Sequence, residues 1–90
     1  MTDQTSEAVL IHISGHDRPG ITAACMGILA AQGATILDIG QAVVHENLAL
    51  GILVAAPAAH DLAALKAAFE ERMREMGLQT RFTEVPSQAL

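Results

Sequence analysis

Apolar and polar positions alternate along the chain with two different periods, and these predict four strands and two helices. Residues 8–14 are rich in β-branched side chains and flanked by polar stretches, as is typical of a strand. Further strands are predicted at 35–44, 48–55 and 78–85. In the third strand, bulky residues alternate with small ones. That alternation predicts a central strand with helices packed against its bulky face.

Two intervening segments have the spacing of amphipathic helices. One carries an apolar stripe made of Ile21, Ala24, Cys25, Ile28 and Leu29. The other carries Leu62, Leu65, Phe69, Met73 and Met76. Asp61 is predicted to cap the start of the second helix, and Gly33 and Gly77 are placed to end the two helices.

The predicted order, β-α-β-β-α-β, indicates an α+β fold of the ferredoxin-like split βαβ type, a four-stranded antiparallel sheet with two helices on one face. The second sheet face is left open, and Leu10, His12, Ile36 and Leu53 are expected to point there or towards a partner. We expect one domain at 8–85, a disordered tail at 1–7, and a tail or linker at 86–90.

Composition indicates self-association. Hydrophobic residues make up 51% of the chain and charged residues 17%, in a chain of 90 residues. A monomer this small cannot hide so much aliphatic surface. A homodimer formed through a sheet edge or through the open sheet face is therefore expected.

Charge and segment length exclude several classes of partner. A net charge of −5 with five Lys and Arg argues against nucleic acid, which requires a basic surface. The apolar runs are too short to cross a membrane. The polar N-terminus does not resemble a signal peptide, and a single cysteine forms no internal disulfide. A cytoplasmic location is therefore expected, with no membrane partner.

The loop from Gly15 to Thr22, Gly-His-Asp-Arg-Pro-Gly-Ile-Thr, is the most informative segment for function. Pro19 favours helix entry, and Gly20 leaves main-chain N–H groups accessible. The first turn of the following helix offers unpaired donors suited to a carboxylate, while Asp17 can accept from an ammonium group. This combination predicts an amino-acid site. The alternative is that Asp17 only caps the helix and that Pro19 and Gly20 only form a turn.

The remaining reactive residues have simpler interpretations. The pairs His16–Asp17 and His45–Glu46 lack the ligand number and spacing of a zinc site, so no metal and no cofactor is predicted. Cys25 lies on an apolar stripe and is interpreted as a buried small hydrophobic residue. Asp38 is expected either to face a partner and contact ligand or to lie at an exposed edge.

The loop, the Ala-rich helix, Gly33 and the strand Thr35-Ile36-Leu37-Asp38-Ile39-Gly40-Gln41 together resemble an ACT domain, over roughly residues 8–85. The D-x-P-G turn carries the resemblance. It implies amino-acid binding, usually at an interface between two modules. The segments VLIHISGHDRPGIT and ILDIGQAVVHENLALGILVAAP resemble more closely the N-terminal regulatory region of bacterial phosphoserine phosphatases. This resemblance implies serine or a related amino acid as the effector.

The resemblance also implies a set of ligand-binding positions. Asp17, Gly20, Ile21 and Thr35 match the positions that hold serine in such domains, and family members often carry Asn in place of Asp17 and Thr35. The whole candidate set is His16, Asp17, Arg18, Pro19, Gly20, Ile21, Thr35 and Asp38.

No motif for catalysis is present: the chain has no D-x-D-G-T stretch, no phosphate-binding loop and no nucleophile elbow. The expected function is therefore an amino-acid-binding regulatory module, not an enzyme, that acts on an attached catalytic domain. The alternatives are a ligand-independent dimerisation module and a stand-alone ACT regulator resembling glycine-cleavage repressors.

Overall fold

The computed structural model describes residues 6–55 and 59–86, and it confirms the predicted order of elements. These are β1 (Ser6–His16), α1 (Ile21–Ala31), β2 (Ile36–Val44), β3 (Asn47–Ala55), α2 (Ala59–Glu75) and β4 (Gln79–Pro86). The strands form one sheet in the order β2-β3-β1-β4, and all neighbouring strands are antiparallel. This is the ferredoxin-like arrangement expected from the sequence.

The core lies between the sheet and the helices. β3 is a central strand as predicted: Leu48, Leu50, Ile52 and Val54 are buried, and the residues between them are more exposed. From the helices, the buried side chains are Ile21, Cys25 and Leu29 of α1 and Leu65, Phe69 and Met73 of α2. They follow each other at four-residue intervals, which confirms the two predicted apolar stripes.

Phe69 joins α2 to the sheet. Its ring meets the ring of Phe82 on β4 edge to face, with centroids 6.3 Å apart and planes at 80°. The ammonium of Lys66 lies 5.8 Å from the centroid of the Phe82 ring. These contacts involve both aromatic residues of the chain, and they hold α2 against β4 at one side of the core.

Several boundaries differ from the predictions. β1 extends from Ser6 to His16, longer at both ends than predicted, because its ends pair with β3 and β4. The link between β2 and β3 is two residues, His45 and Glu46, instead of three. The predicted tails lie mostly outside the described residues; residues 6, 7 and 86 belong to strands. Pro57, which the sequence predicts to end the third strand, also lies outside the described residues.

Two residues occupy positions other than those expected. Asp61 is the third residue of α2 and not its N-cap, because the preceding Ala59 and His60 are already helical. An acidic side chain in the first turn is favourable there. Ile36 pairs with Val54, which is buried on the helix side, so Ile36 does not belong to the open face. Leu10, His12 and Leu53 do lie on that face, because they alternate with buried neighbours.

β2 is an edge strand with an apolar surface. All nine of its residues are exposed. The large hydrophobic residues exposed in the described part of the chain are all on this strand: Ile36, Leu37, Ile39, Val43 and Val44. An uncovered apolar edge strand is a ready template for pairing with another chain.

Among the described residues, no helix has both the length and the apolar character needed to cross a membrane.

Candidate functional site

The loop between β1 and α1 is shaped by Pro19 and Gly20. Gly20 has φ 90° and ψ −3°, close to the values of about 80° and 0° at the third position of a type II turn. Pro is favoured at the position before it, and Gly is required because φ is positive. Ile21 follows with 2% of its surface exposed, which anchors the start of α1 in the core. The D-x-P-G sequence therefore determines the direction in which α1 begins.

The N-terminus of α1 is uncapped. No side chain accepts a hydrogen bond from it, and its first turn contains no acidic residue. The first intrahelical bond runs from the Ala24 amide to the Gly20 carbonyl at 2.9 Å. The amides of Ile21, Thr22 and Ala23 therefore have no acceptor within the helix. Asp17 does not cap α1, so the alternative interpretation of Asp17 as a helix cap is wrong.

The start of the loop is attached to the β2–β3 hairpin. The Asp17 amide donates a hydrogen bond of 2.8 Å to the carbonyl oxygen of Glu46. His16 Nε2 lies 3.8 Å from Glu46 Oε1, and both side chains are well exposed. An exposed pair of this kind contributes little to stability, so the backbone bond is the stronger attachment.

Arg18 attaches the same loop to the end of α2. Its Nη1 donates to the Met76 carbonyl oxygen at 3.2 Å. A cation at this position satisfies a carbonyl that the end of a helix leaves free. The guanidinium is thus directed towards α2, and Arg18 holds the loop in place.

Thr35 lies at the opposite end of the sheet from the loop. The register aligns His16 with Asn47 at one end, and Val9 with Val54 and Ile36 at the other. Seven residues of β1 separate these ends, about 23 Å at about 3.3 Å per residue. Thr35 therefore cannot share a ligand with Asp17 of the same chain.

Thr35 borders a cavity of about 240 Å³ between the end of α1 and the start of α2. Its lining is formed by Gln32, Gly33, Ala34, Thr35, Ala55, Asp61 and Leu65. The sequence did not indicate this cavity, because it depends on residues from three separate segments: 32–35, the end of β3 and the start of α2. Its polar side chains are those of Gln32, Thr35 and Asp61, and none of the lining side chains is basic.

Asp38 lies on the open sheet face, opposite Leu53. Its Oδ1 accepts a hydrogen bond of 2.9 Å from the following amide, that of Ile39. With Leu10, Gly40 and Gly51 it borders a shallow groove of about 200 Å³. Asp38 is therefore distant from the loop in a single chain, as Thr35 is.

The structure thus brings together six of the eight candidate residues, the run from His16 to Ile21, and separates Thr35 and Asp38 from them. Two partners of the loop, Glu46 and Met76, were missed, because both act through backbone carbonyls and carry no signal in the sequence. In the described ranges, no group of three or more His, Cys, Asp or Glu could hold a metal ion.

Cys25 is buried, as predicted. Burial raises the pKa of its thiol from 9.0 to about 11. The thiol is therefore protonated at neutral pH and is unsuited to act as a nucleophile.

Known proteins resemble this chain in sequence and in fold. The family model for the ACT domain matches residues 7–83. The chain is 42% identical over 50 residues to a phosphoserine phosphatase of Mycobacterium tuberculosis, a match that covers 56% of this chain and 12% of that enzyme. It is 38% identical over 72 residues to a UPF0237 protein of Methanocaldococcus jannaschii, covering 79% and 80% of the two chains.

A solved structure assigned as a glycine cleavage system transcriptional repressor superposes with a TM-score of 0.79 at 19% identity, covering 89% of this chain and 46% of the other. At this identity the likeness concerns the fold alone. The match to the family model extends over most of the chain and includes the D-x-P-G loop and at least part of every described element. The chain belongs to the ACT domain family.

Proposed function

We propose that this chain is a regulatory module that binds a small amino acid, with serine the expected ligand, where two copies meet. The observation that carries the proposal is the uncapped N-terminus of α1 beside the exposed Asp17. The similarity to phosphoserine phosphatases supports serine as the ligand.

The carboxylate of the ligand is proposed to bind the free amides at the start of α1. These donors carry a partial positive charge, and no acidic side chain of the first turn competes for them. An alanine Cβ at Gly20 would meet no atom within 4 Å, so the space beside the turn is open. Asp17 is proposed to accept from the ammonium group of the ligand.

The second half of the site is proposed to come from a second copy paired along β2. If two copies of β2 run antiparallel about Gly40, the middle of the strand, Ile36 of one copy lies opposite Val44 of the other. Thr35 of the second copy then lies beside His45, next to the hairpin that holds Asp17. This pairing also covers the apolar residues of the strand.

A ligand held between two copies can regulate an enzyme through its differential affinity for two arrangements of the pair. The phosphoserine phosphatase relatives suggest the enzyme, and this chain spans 12% and 14% of the length of two of them. We therefore infer that the module acts on a phosphatase domain, attached or associated, in the cytoplasm where amino acids are made.

The test is a thermal-shift screen of the standard amino acids and phosphoserine, followed by calorimetry. A ligand present at about 100 times its dissociation constant adds about 2.7 kcal/mol to the free energy of unfolding. We expect stabilisation by serine in the wild type and its loss in Asp17→Ala. The matched control is Glu71→Ala, which removes an exposed carboxylate from the outer side of α2 and should leave binding intact.

The exposed apolar surface of β2 favours a second candidate, a dimerisation module that needs no ligand. A stable dimer with no shift in the presence of any amino acid would support it and contradict the amino-acid proposal. Binding of serine that survives Asp17→Ala would retain the function and exclude the role assigned to Asp17.

A further inference from the structure

The open face of the sheet carries a cluster of hydrogen-bond donors that the proposed amino-acid site does not use. The register places His12 of β1 directly opposite Arg81 of β4, and Ser14 opposite Gln79. All four point away from the helices, because they alternate along their strands with positions such as Ile13, which is buried in the core. Directly opposite residues on one face have Cβ atoms about 5 Å apart.

The cluster surrounds a depression of about 220 Å³, lined by His12, Ser14, Gln79, Thr80 and Arg81. His12 and Ser14 are half-buried, whereas Gln79 and Arg81 are exposed. The two residues of β1 thus form the floor, and the two residues of β4, the edge strand, form the rim. A small ligand could enter from solvent and contact both strands.

The charge around this depression is positive although the chain as a whole has a net charge of −5. No carboxylate lines it. The nearest neighbours of His12 along and across the face, apart from Arg81, are Leu10, Ser14 and Gly51. None of these three residues carries a charge, so only Arg81 acts on His12 at close range.

Among the strand residues whose side chains the structure describes, two carry a carboxylate, Asp38 and Glu84, and neither lines the depression. Asp38 is on β2, two strands from β1 and three from β4, so about 10 Å and 14 Å away. These separations exceed the Debye length of about 8 Å at physiological ionic strength. Glu84 of β4 pairs with the buried Val9, so its side chain belongs to the opposite face.

We infer that this depression binds a tetrahedral oxyanion, such as the phosphate group of a small phosphate monoester. The guanidinium of Arg81 offers two parallel N–H donors, and Ser14, Gln79 and His12 can each offer one more. A phosphoryl group has three terminal oxygens and can accept all of these bonds, whereas a carboxylate has two. The site is independent of the amino-acid proposal, because it lies on the open face and shares no residue with the β1–α1 loop.

The test is a titration of the full chain with sulfate, followed by nuclear magnetic resonance of backbone amides, with chloride used to hold ionic strength constant. Sulfate remains a dianion from about pH 8 to about pH 5.5, so a change in its binding over this range comes from the protein. We expect saturable shifts at residues 12–14 and 79–81 and tighter binding at the lower pH. Phosphate should cause the same shifts, and acetate should cause much weaker ones.

Arg81→Gln is expected to weaken sulfate binding by about tenfold or more. Arg81→Lys, which keeps the charge but loses the paired donors, should have an intermediate effect. Arg74→Gln is the matched control, because Arg74 is exposed on α2. His12→Gln should remove the pH dependence.

The inference is overturned if chloride produces the same shifts as sulfate, or if Arg74→Gln weakens binding as much as Arg81→Gln. Persistence of the pH dependence in His12→Gln would also contradict it. Unchanged amide shifts in the remainder of the sheet show that each variant is folded.

Discussion

In the turn between β2 and β3, one residue occupies a backbone conformation that its side chain disfavours. His45 and Glu46 have φ of 50° and 68°, in the left-handed region, where Asn, Asp and His are the commonest residues after Gly and Glu is rare. Two-residue hairpins require such angles, and Asn-Gly is the sequence they favour. The sequence predicted a link here but not its type, because His-Glu carries none of the turn chemistry that would indicate it.

Glu46→Gly is therefore expected to stabilise the protein by about 1 kcal/mol, since glycine adopts a positive φ without steric cost. The exposed His16–Glu46 pair that is lost contributes little. Chemical denaturation of the two proteins measures the difference. Glu70→Gly, the same exchange at an exposed helical position, should instead destabilise by about 1 kcal/mol. A decrease in stability for Glu46→Gly would show that the turn is not strained.

Between elements, the hydrogen bond from Arg18 to Met76 connects the β1–α1 loop to the residue that directly follows α2, across 58 residues of sequence. Local signals predicted both helices well, because the apolar period and the terminal glycines lie within each segment. This contact could not be predicted in the same way. Its acceptor is a backbone carbonyl, which no side-chain pattern marks, and its donor lies in a distant part of the sequence.

Arg18→Ala is expected to lower the free energy of unfolding by about 1 kcal/mol, because the Met76 carbonyl loses a charged donor but remains near solvent. Hydrogen exchange should become faster at the amides of residues 76–78, which bond to the last turn of α2. Arg74→Ala, on the same helix end, is the control and should leave exchange at the β1–α1 loop unchanged. Equal effects of the two changes would indicate that only helix charge matters.

At the scale of the whole molecule, the apolar surface is concentrated on one edge of the sheet. Composition predicted self-association but could not say which apolar residues stay exposed, because the buried strands are also rich in Ile, Leu and Val. The difference arises from position in the sheet: β3 is covered on both sides by neighbouring strands, and β2 has a neighbour on one side only. The separation of Thr35 from Asp17 likewise follows from strand order, which no local pattern encodes.

If β2 pairs with a second copy, the melting temperature should rise with protein concentration over about a hundredfold range. Val43→Lys places a charge on this edge and should make the protein monomeric and its melting temperature independent of concentration. Thr83→Lys makes a comparable change on β4, the opposite edge, and should leave association intact. Sedimentation equilibrium measures the association directly. Dimerisation that survives Val43→Lys but not Thr83→Lys would assign the interface to β4.

The separation of Asp17 and Thr35 by the length of the sheet has a genetic consequence. A ligand that contacts both residues must join two copies, and each pair would contain two such sites. A copy defective in the loop and a copy defective at Thr35 would then form a mixed pair in which one site carries both defects and the other carries none. Two inactive alleles of the same gene would restore a response when expressed together, whereas two loop alleles would not.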